Sequence, residues 1–171
     1  GRIVSWFACS LSPAEIAVLK IEEGQSSSQQ VVEALATLVA LRGWCSRWRQ
    51  QRARIKVRSD SISALVLCLN LKTKGAGTTL IAREVALDIA DALYAPHIVE
   101  HIPGLDNTVA DTLSRRFAPG VSFVLPQCLR YVEELVLPAR DESYFVTRLS
   151  PTEPVARYGG IKRDFSSCGS A

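Results

Sequence analysis

Hydrophobic positions along the chain predict a hairpin followed by a long helix. Residues 2–11 and 15–23 are rich in Val, Ile and aromatic side chains, and they predict two paired strands joined by a turn. In residues 26–44 the hydrophobic positions recur at helical intervals, and Ser27 and Gln30 have the spacing of a capping box. The positions expected to face the core of this helix are Val31, Leu35, Leu38, Val39 and Leu41.

A half-buried strand is predicted next, over residues 53–61. Ile55 and Val57 alternate there with charged side chains, so hydrophobic and polar residues fall on opposite faces of the strand. Asp60 is therefore expected at the end of the strand, on its polar face.

Two helices, a strand and a last helix complete the predicted pattern. Residues 62–72 and 79–94 have helical spacing on either side of a glycine-containing break, and residues 96–102 predict a short strand that ends at a Pro-Gly turn. A helix over residues 107–117 begins at Asn107, which is a good N-cap residue. The order β-β-α-β-α-α-β, followed by this helix, indicates an α/β fold.

Length and composition are those of one folded domain with an extension. The chain has 171 residues, of which 47% are hydrophobic and 22% charged, as in soluble globular proteins. We expect a core domain over residues 1–118 and a partly disordered, proline-containing extension over residues 119–171. The start lacks both an initiator Met and a signal-peptide pattern, so the sequence is expected to be part of a longer protein.

Cysteine spacing and hydropathy bear on the compartment. Five cysteines lie far apart without a CxxC pair, which indicates neither a disulfide framework nor a zinc site and fits a reducing intracellular compartment, cytoplasmic or nuclear. No apolar run approaches the roughly 18 residues that a membrane span needs, so we expect no membrane partner.

Three carboxylates stand at the ends or beginnings of predicted elements. Glu33 lies in the first helix among hydrophobic residues, Asp60 ends the following strand, and Asp111 lies in the first turns of the last helix. Each has an ordinary alternative role: a solvated helix residue, an N-cap, and a favourable charge near a helix N-terminus, respectively. Clustered carboxylates are also the oxygen ligands that Mg²⁺ prefers.

These carboxylates belong to three stretches that follow one another in a fixed order. They are QQVVEALATLVALRGW with Glu33, IKVRSDSISAL with Asp60, and HIPGLDNTVADTLSRR with His101 and Asp111. Together they resemble the ribonuclease H domain that follows the reverse transcriptase in LTR retrotransposon polyproteins. The resemblance covers about residues 1–118, and N-x-x-A-D-x-L-S-R is its most specific motif.

The resemblance implies a fold, a reaction and a cofactor. The fold is a ribonuclease H-like mixed sheet with helices on both faces, and the reaction is two-metal hydrolysis of the RNA strand of an RNA–DNA hybrid. Glu33, Asp60 and Asp111 would hold two Mg²⁺ ions, which Mn²⁺ can replace, and His101 would assist proton movement or product release from a nearby loop. Reverse transcriptase and other polyprotein domains would be covalently linked partners.

One departure from the family pattern bears on activity. In the resembling family the first catalytic aspartate lies on the first strand, and this sequence begins with what corresponds to the second strand, so no residue here takes that role. We therefore expect the first strand to be missing and the given residues alone to have little activity.

Basic residues supply candidate contacts to nucleic acid. Although the net charge is only +3, six basic residues fall within positions 47–58, with two tryptophans in or beside this stretch. The same residues would equally suit a solvated helix end, where the helix dipole favours positive charge. The candidate phosphate contacts are Arg47, Arg49, Arg52, Arg54, Arg115 and Arg116.

Three functions stay open at this point. The first is a metal-dependent ribonuclease H-type endonuclease. The second is an inactive relic or connection module of the same fold that only binds nucleic acid. The third is a protein-interaction domain unrelated to nucleic acid, which the modest net charge allows.

Overall fold

Nine helices and strands make up the part of the protein that its computed structural model describes, which is residues 2–47, 54–91 and 94–145. In chain order they are β1 (Ser5–Trp6), α1 (Pro13–Leu19), α2 (Ser26–Gly43), β2 (Arg54–Ser59), α3 (Ile62–Asn70), α4 (Ala76–Ala90), β3 (Ala95–His101), α5 (Thr108–Ser114) and β4 (Glu133–Glu134). Strand β1 pairs with β4 and β2 pairs with β3, both in parallel. The predicted α/β class is confirmed.

Helix α1 replaces the second strand of the predicted hairpin, so that prediction is wrong. The Ser12 hydroxyl accepts a hydrogen bond from the Glu15 backbone N–H at 3.1 Å, and the Glu15 carboxylate accepts one from the Ser12 N–H at 2.7 Å. This reciprocal capping box, with Pro13 at the first helical position, starts a helix despite the β-branched residues that follow.

The predicted first long helix is confirmed as α2, but its predicted cap is wrong. Gln25 is the N-cap and makes no side-chain capping bond, whereas Ser27 lies inside the first turn. All five predicted core positions of α2 are buried. The hydrophobic face of the helix thus determines its placement, and the capping signal does not.

The start of α4 packs tightly against α1 and α2. A Cβ built on Gly77 would lie 2.5 Å from the carbonyl oxygen of Leu19 and 3.1 Å from both methyl groups of Val31. Only glycine fits this approach without a shift of the backbone. Ile81 and Val85 follow on the same helix and are fully buried, so α2 and α4 form the centre of the core.

The middle of the chain confirms four predicted elements. Helix α3 and strand β2 lie within the predicted stretches, whereas α4 begins three residues before its stretch and β3 one residue before its own. Ile55 and Val57 are half-buried on β2 and pack against the core, whereas the residues between them are exposed, as the alternation predicts. Helices α3 and α4 connect two parallel strands, which is the crossover arrangement expected of an α/β unit.

A buried ionic network joins α2 to α4. The Arg42 guanidinium donates to Asp88 at 2.7 and 2.9 Å and to Glu84 at 2.8 Å, and the Tyr94 hydroxyl donates to Asp88 at 3.0 Å. Burial lowers the pKa of Arg42, but its hydrogen bonds to the two carboxylates outweigh burial and raise it. Arg42 therefore stays charged inside the protein.

Residues 127–145 pack against elements from the first half of the chain. Arg42 also donates to the backbone carbonyl of Tyr144 at 2.6 Å and lies 4.8 Å from the centre of its ring. Phe145 is fully buried in the main core, and Arg140 forms an ion pair with the fully buried Glu15. The division between domain and extension at residue 118 stays a prediction, whereas this packing reaches residue 145.

Truncating Phe145 tests whether residues 127–145 contribute to stability. Phe145→Ala removes a fully buried ring, so we expect the free energy of unfolding to fall by about 3–5 kcal/mol. Val136→Ala is the control, because Val136 is 89% exposed and its truncation should change stability by less than about 0.5 kcal/mol. Urea denaturation followed by circular dichroism measures both, and equal small effects would mean that the segment is not part of the folded core.

A second prediction concerns pH. Burial raises the pKa of the Cys68 thiol to about 11, whereas a thiol in an unfolded chain titrates near about 8.5. The unfolded chain therefore loses the thiol proton at a lower pH than the folded protein does. The stability that the buried thiol contributes is fully present below the unfolded pKa and is lost as pH rises through about 11. We expect the unfolding free energy to fall by up to about 3 kcal/mol over this window.

Cys68→Ala removes this titration and should flatten the decline in stability between about pH 8.5 and 11. Burial, followed by the charge of Asp88, also raises the pKa of Tyr94, so both proteins should lose further stability from about pH 10 upwards, where an unfolded tyrosine ionises. Urea denaturation at a series of pH values measures the slopes. Parallel curves for the two proteins between pH 8.5 and 11 would contradict the assignment to Cys68.

Candidate functional site

Asp60 and His101 lie at the same edge of the β2–β3 sheet. The strands are parallel, so their carboxyl ends meet at one edge, and Ser59 is in register with His101. The pairing continues one residue further, where the Ile102 N–H donates to the Ser59 carbonyl at 3.0 Å. The structure thus places Asp60 one residue beyond the β2 position that is in register with His101, at the same edge of the sheet.

The Asp60 carboxylate is exposed and points towards the loop that follows β3. A Cβ built on Gly104 would lie 3.7 Å from Oδ2 of Asp60. Ser61, not Asp60, is the N-cap of α3, and its hydroxyl accepts from the Ala64 N–H at 3.2 Å. The alternative role of Asp60 as an N-cap is therefore excluded, and its carboxylate is available to a ligand.

Asp111 lies on α5, the helix that follows the same loop. Its carboxylate is 55% exposed and accepts from the Arg115 guanidinium at 3.0 Å, one helical turn further on. Asn107 is the N-cap residue of α5, as predicted, but its side chain makes no capping bond. Within the structure, Asp111 therefore has a basic partner of its own.

Glu33 is half-buried on α2 and accepts a hydrogen bond from the Gln29 side chain at 3.1 Å. Within residues 2–47, 54–91 and 94–145, no three His, Cys, Asp or Glu side chains are grouped so that they could hold a metal ion.

The predicted phosphate contacts differ in their surroundings. Arg47 is exposed and lies 3.3 Å from Glu133, Arg54 begins β2 on its exposed face, and Arg115 is held by Asp111. Arg116 is more enclosed, because it pairs with a carboxylate and lies over aromatic rings. Arg49 and Arg52 lie outside the described residues.

Sequence reasoning missed the partner of the basic face of β2. Lys56 and Arg58 are exposed on this face, and both pair with Glu100 of β3, Arg58 at 3.5 Å. The hydrogen bond from Lys56 lowers the pKa of Glu100, and the charge of Arg58 adds to this effect. The contact follows from the parallel register, which places Arg58 opposite Glu100, and predicting it required that register.

Comparisons with known proteins add no relative. No family model, curated protein or solved structure matches the chain. Among the helices of the described ranges, none combines the length and the hydropathy that crossing a bilayer requires.

Proposed function

We propose that the chain is a ribonuclease H-type module of a retroelement polyprotein that acts on the RNA strand of RNA–DNA hybrids. The observation that carries this proposal is that Asp60 follows β2 directly and His101 ends β3, at the shared carboxyl edge of two parallel strands. Ligands of open α/β sheets characteristically bind at the carboxyl ends of strands. The order of Glu33, Asp60, His101 and Asp111 in the resembling motifs supports the same assignment.

The chemistry of the two edge residues suits this reaction. Asp60 offers an exposed carboxylate without a capping role, and His101 offers an exposed imidazole, a side chain that often serves as general acid or base. The exposed cations of β2 lie on the strand that Asp60 follows, where a phosphate backbone can reach them. These features support binding of a nucleic acid across this edge.

Mg²⁺ is the proposed cofactor, with Glu33, Asp60 and Asp111 as its proposed ligands and Mn²⁺ as a substitute. Because the described residues group no three such ligands, no catalytic step is assigned to the metal here. The resemblance implies a further aspartate on the first strand of the family, a role assigned to no residue of this sequence, and we propose that this aspartate completes the site.

A second candidate function is hybrid binding without cleavage. It is favoured by the partners of two predicted ligands, because Asp111 is paired with Arg115 and Glu33 is bonded to Gln29. Such a module would hold the hybrid by its phosphates, and its affinity would fall steeply with salt.

A cleavage assay separates the two functions. We expect Mg²⁺- or Mn²⁺-dependent cleavage of the RNA strand of a labelled hybrid by a version extended upstream through the missing strand, and little by the 171-residue chain alone. In the extended version, Asp60→Asn should lower the rate about 100-fold or more, because it removes one of the proposed metal-binding carboxylates.

Glu23→Gln is the matched control, because it neutralises an exposed carboxylate in the turn between α1 and α2 and should leave the rate unchanged. Hybrid binding without cleavage by either version would favour the second candidate. If neither version bound the hybrid at low salt, both nucleic-acid functions would be wrong and a protein-interaction domain would be favoured.

Charge neutralisation at Glu100 tests the basic face of β2. Glu100 carries its charge at neutral pH and occupies both Lys56 and Arg58, so Glu100→Gln should free two cations for phosphate. We expect a twofold to fivefold gain in hybrid affinity at low salt, about the strength of an exposed ion pair, and a smaller gain at high salt. Fluorescence anisotropy with a labelled hybrid measures it, and a gain no larger than that of Glu23→Gln would argue against this face.

A further inference from the structure

Helix α5 is held to the protein by few contacts of its own. None of its residues is buried, and it packs mainly against the turn Gly104–Asp106 that precedes it. A short exposed helix of this kind is only marginally stable by itself. The position of Asp111 relative to the sheet edge must therefore depend on residues that flank α5.

Arg116, two residues after α5, makes the contacts that α5 lacks. Its side chain is 27% exposed and forms an ion pair with Glu134. Its guanidinium also lies 5.2 Å from the centre of the Trp6 ring, 5.3 Å from that of Phe117 and 5.8 Å from that of Phe123. A guanidinium at these distances is attracted to the faces of the rings.

The strand pair that Arg116 contacts, β1–β4, is held in place by several hydrogen bonds. Trp6 of β1 is in register with Glu134 of β4, and the Leu135 N–H donates to the Trp6 carbonyl at 2.7 Å. The Trp6 ring is 6% exposed, and its N–H donates to the Val132 carbonyl at 3.2 Å. Arg116 thus connects a weakly held helix to a well-held pair of strands.

We propose that Arg116 is a positioning residue, which anchors α5 and its Asp111 to the β1–β4 pair through Glu134 and Trp6 and does not contact nucleic-acid phosphate. The role assigned to Asp111 rests on the proposed function, whereas the anchoring of α5 does not. Arg115 provides the contrast, because it is 63% exposed and its side chain pairs with Asp111 on the same helix.

Hydrogen–deuterium exchange of the α5 amides tests the anchor without any ligand. We expect Arg116→Gln and Glu134→Gln each to speed exchange in residues 108–116 at least fivefold. The double variant should exchange little faster than Arg116→Gln, because Arg116→Gln already removes the ion pair with Glu134. Arg116→Lys keeps the ion pair and should restore most of the protection. Arg115→Gln is the control, with a change below twofold. Unchanged exchange in both single variants would overturn the proposal.

Hybrid binding distinguishes an anchor from a phosphate contact. If Arg116 bound phosphate, Arg116→Gln would reduce the slope of log affinity against log salt by about 0.7–0.9, and Glu134→Gln would tighten binding by releasing the cation. The anchor predicts an unchanged slope for Arg116→Gln and no tightening for Glu134→Gln. In the extended version it also predicts a lower kcat with little change in KM for both variants. A wild-type chain that binds no hybrid would refute the proposed function, while the exchange experiment would still decide on the anchor.

Discussion

The rest of the structure depends on the ion pairs that the buried guanidinium of Arg42 forms. The guanidinium reaches Asp88 and Glu84 of α4 and the carbonyl of Tyr144, so three segments that are far apart in the sequence meet at one cation. It offsets the cost of burying two carboxylates, because an unpaired buried charge costs several kcal/mol. The raised pKa of Arg42 reflects the same mutual dependence.

This network determines where the candidate site can lie. It holds α4 against α2, and α4 belongs to the crossover after which β3 runs parallel to β2. Asp60 and His101 then meet at the carboxyl edge as a result of topology. Asp111 is less constrained, because its helix has no buried residue, and Arg116, which follows the helix, contacts the strand pair β1–β4 at Glu134 and Trp6.

Periodic patterns predicted most of the fold, and local and distant polar contacts account for the remainder. Helices α2, α3 and α4 and strands β2 and β3 follow from hydrophobic spacing, because long amphipathic segments are placed by the faces they bury. Helix α1 was mispredicted because a Ser12–Glu15 capping box outweighs the β-preference of residues 16–18. The pairing of Arg42 with Asp88 spans 46 residues and has no counterpart in any local pattern.

The candidate site divides in the same way. The predicted strand over residues 53–61 placed Asp60 at a strand end. The predicted strand over residues 96–102 contained His101, and the structure pairs the two strands in parallel. The partners of Asp111 and Glu33 lie four residues away on the same helices, a spacing at which the sequence could have indicated them. The environment of Arg116 depends on β4, which hydrophobic spacing did not predict, because two residues are too few to carry a pattern.

The central claim is that the edge formed by Asp60 and His101 receives a nucleic acid. Titration of the isotopically labelled protein with an RNA–DNA hybrid, followed by amide chemical shifts in NMR, tests it most directly. We expect the first additions of hybrid to cause the largest chemical-shift changes at residues 59–61 and 101–104, with smaller changes along β2. Changes confined to other surfaces, or none at low salt, would contradict it.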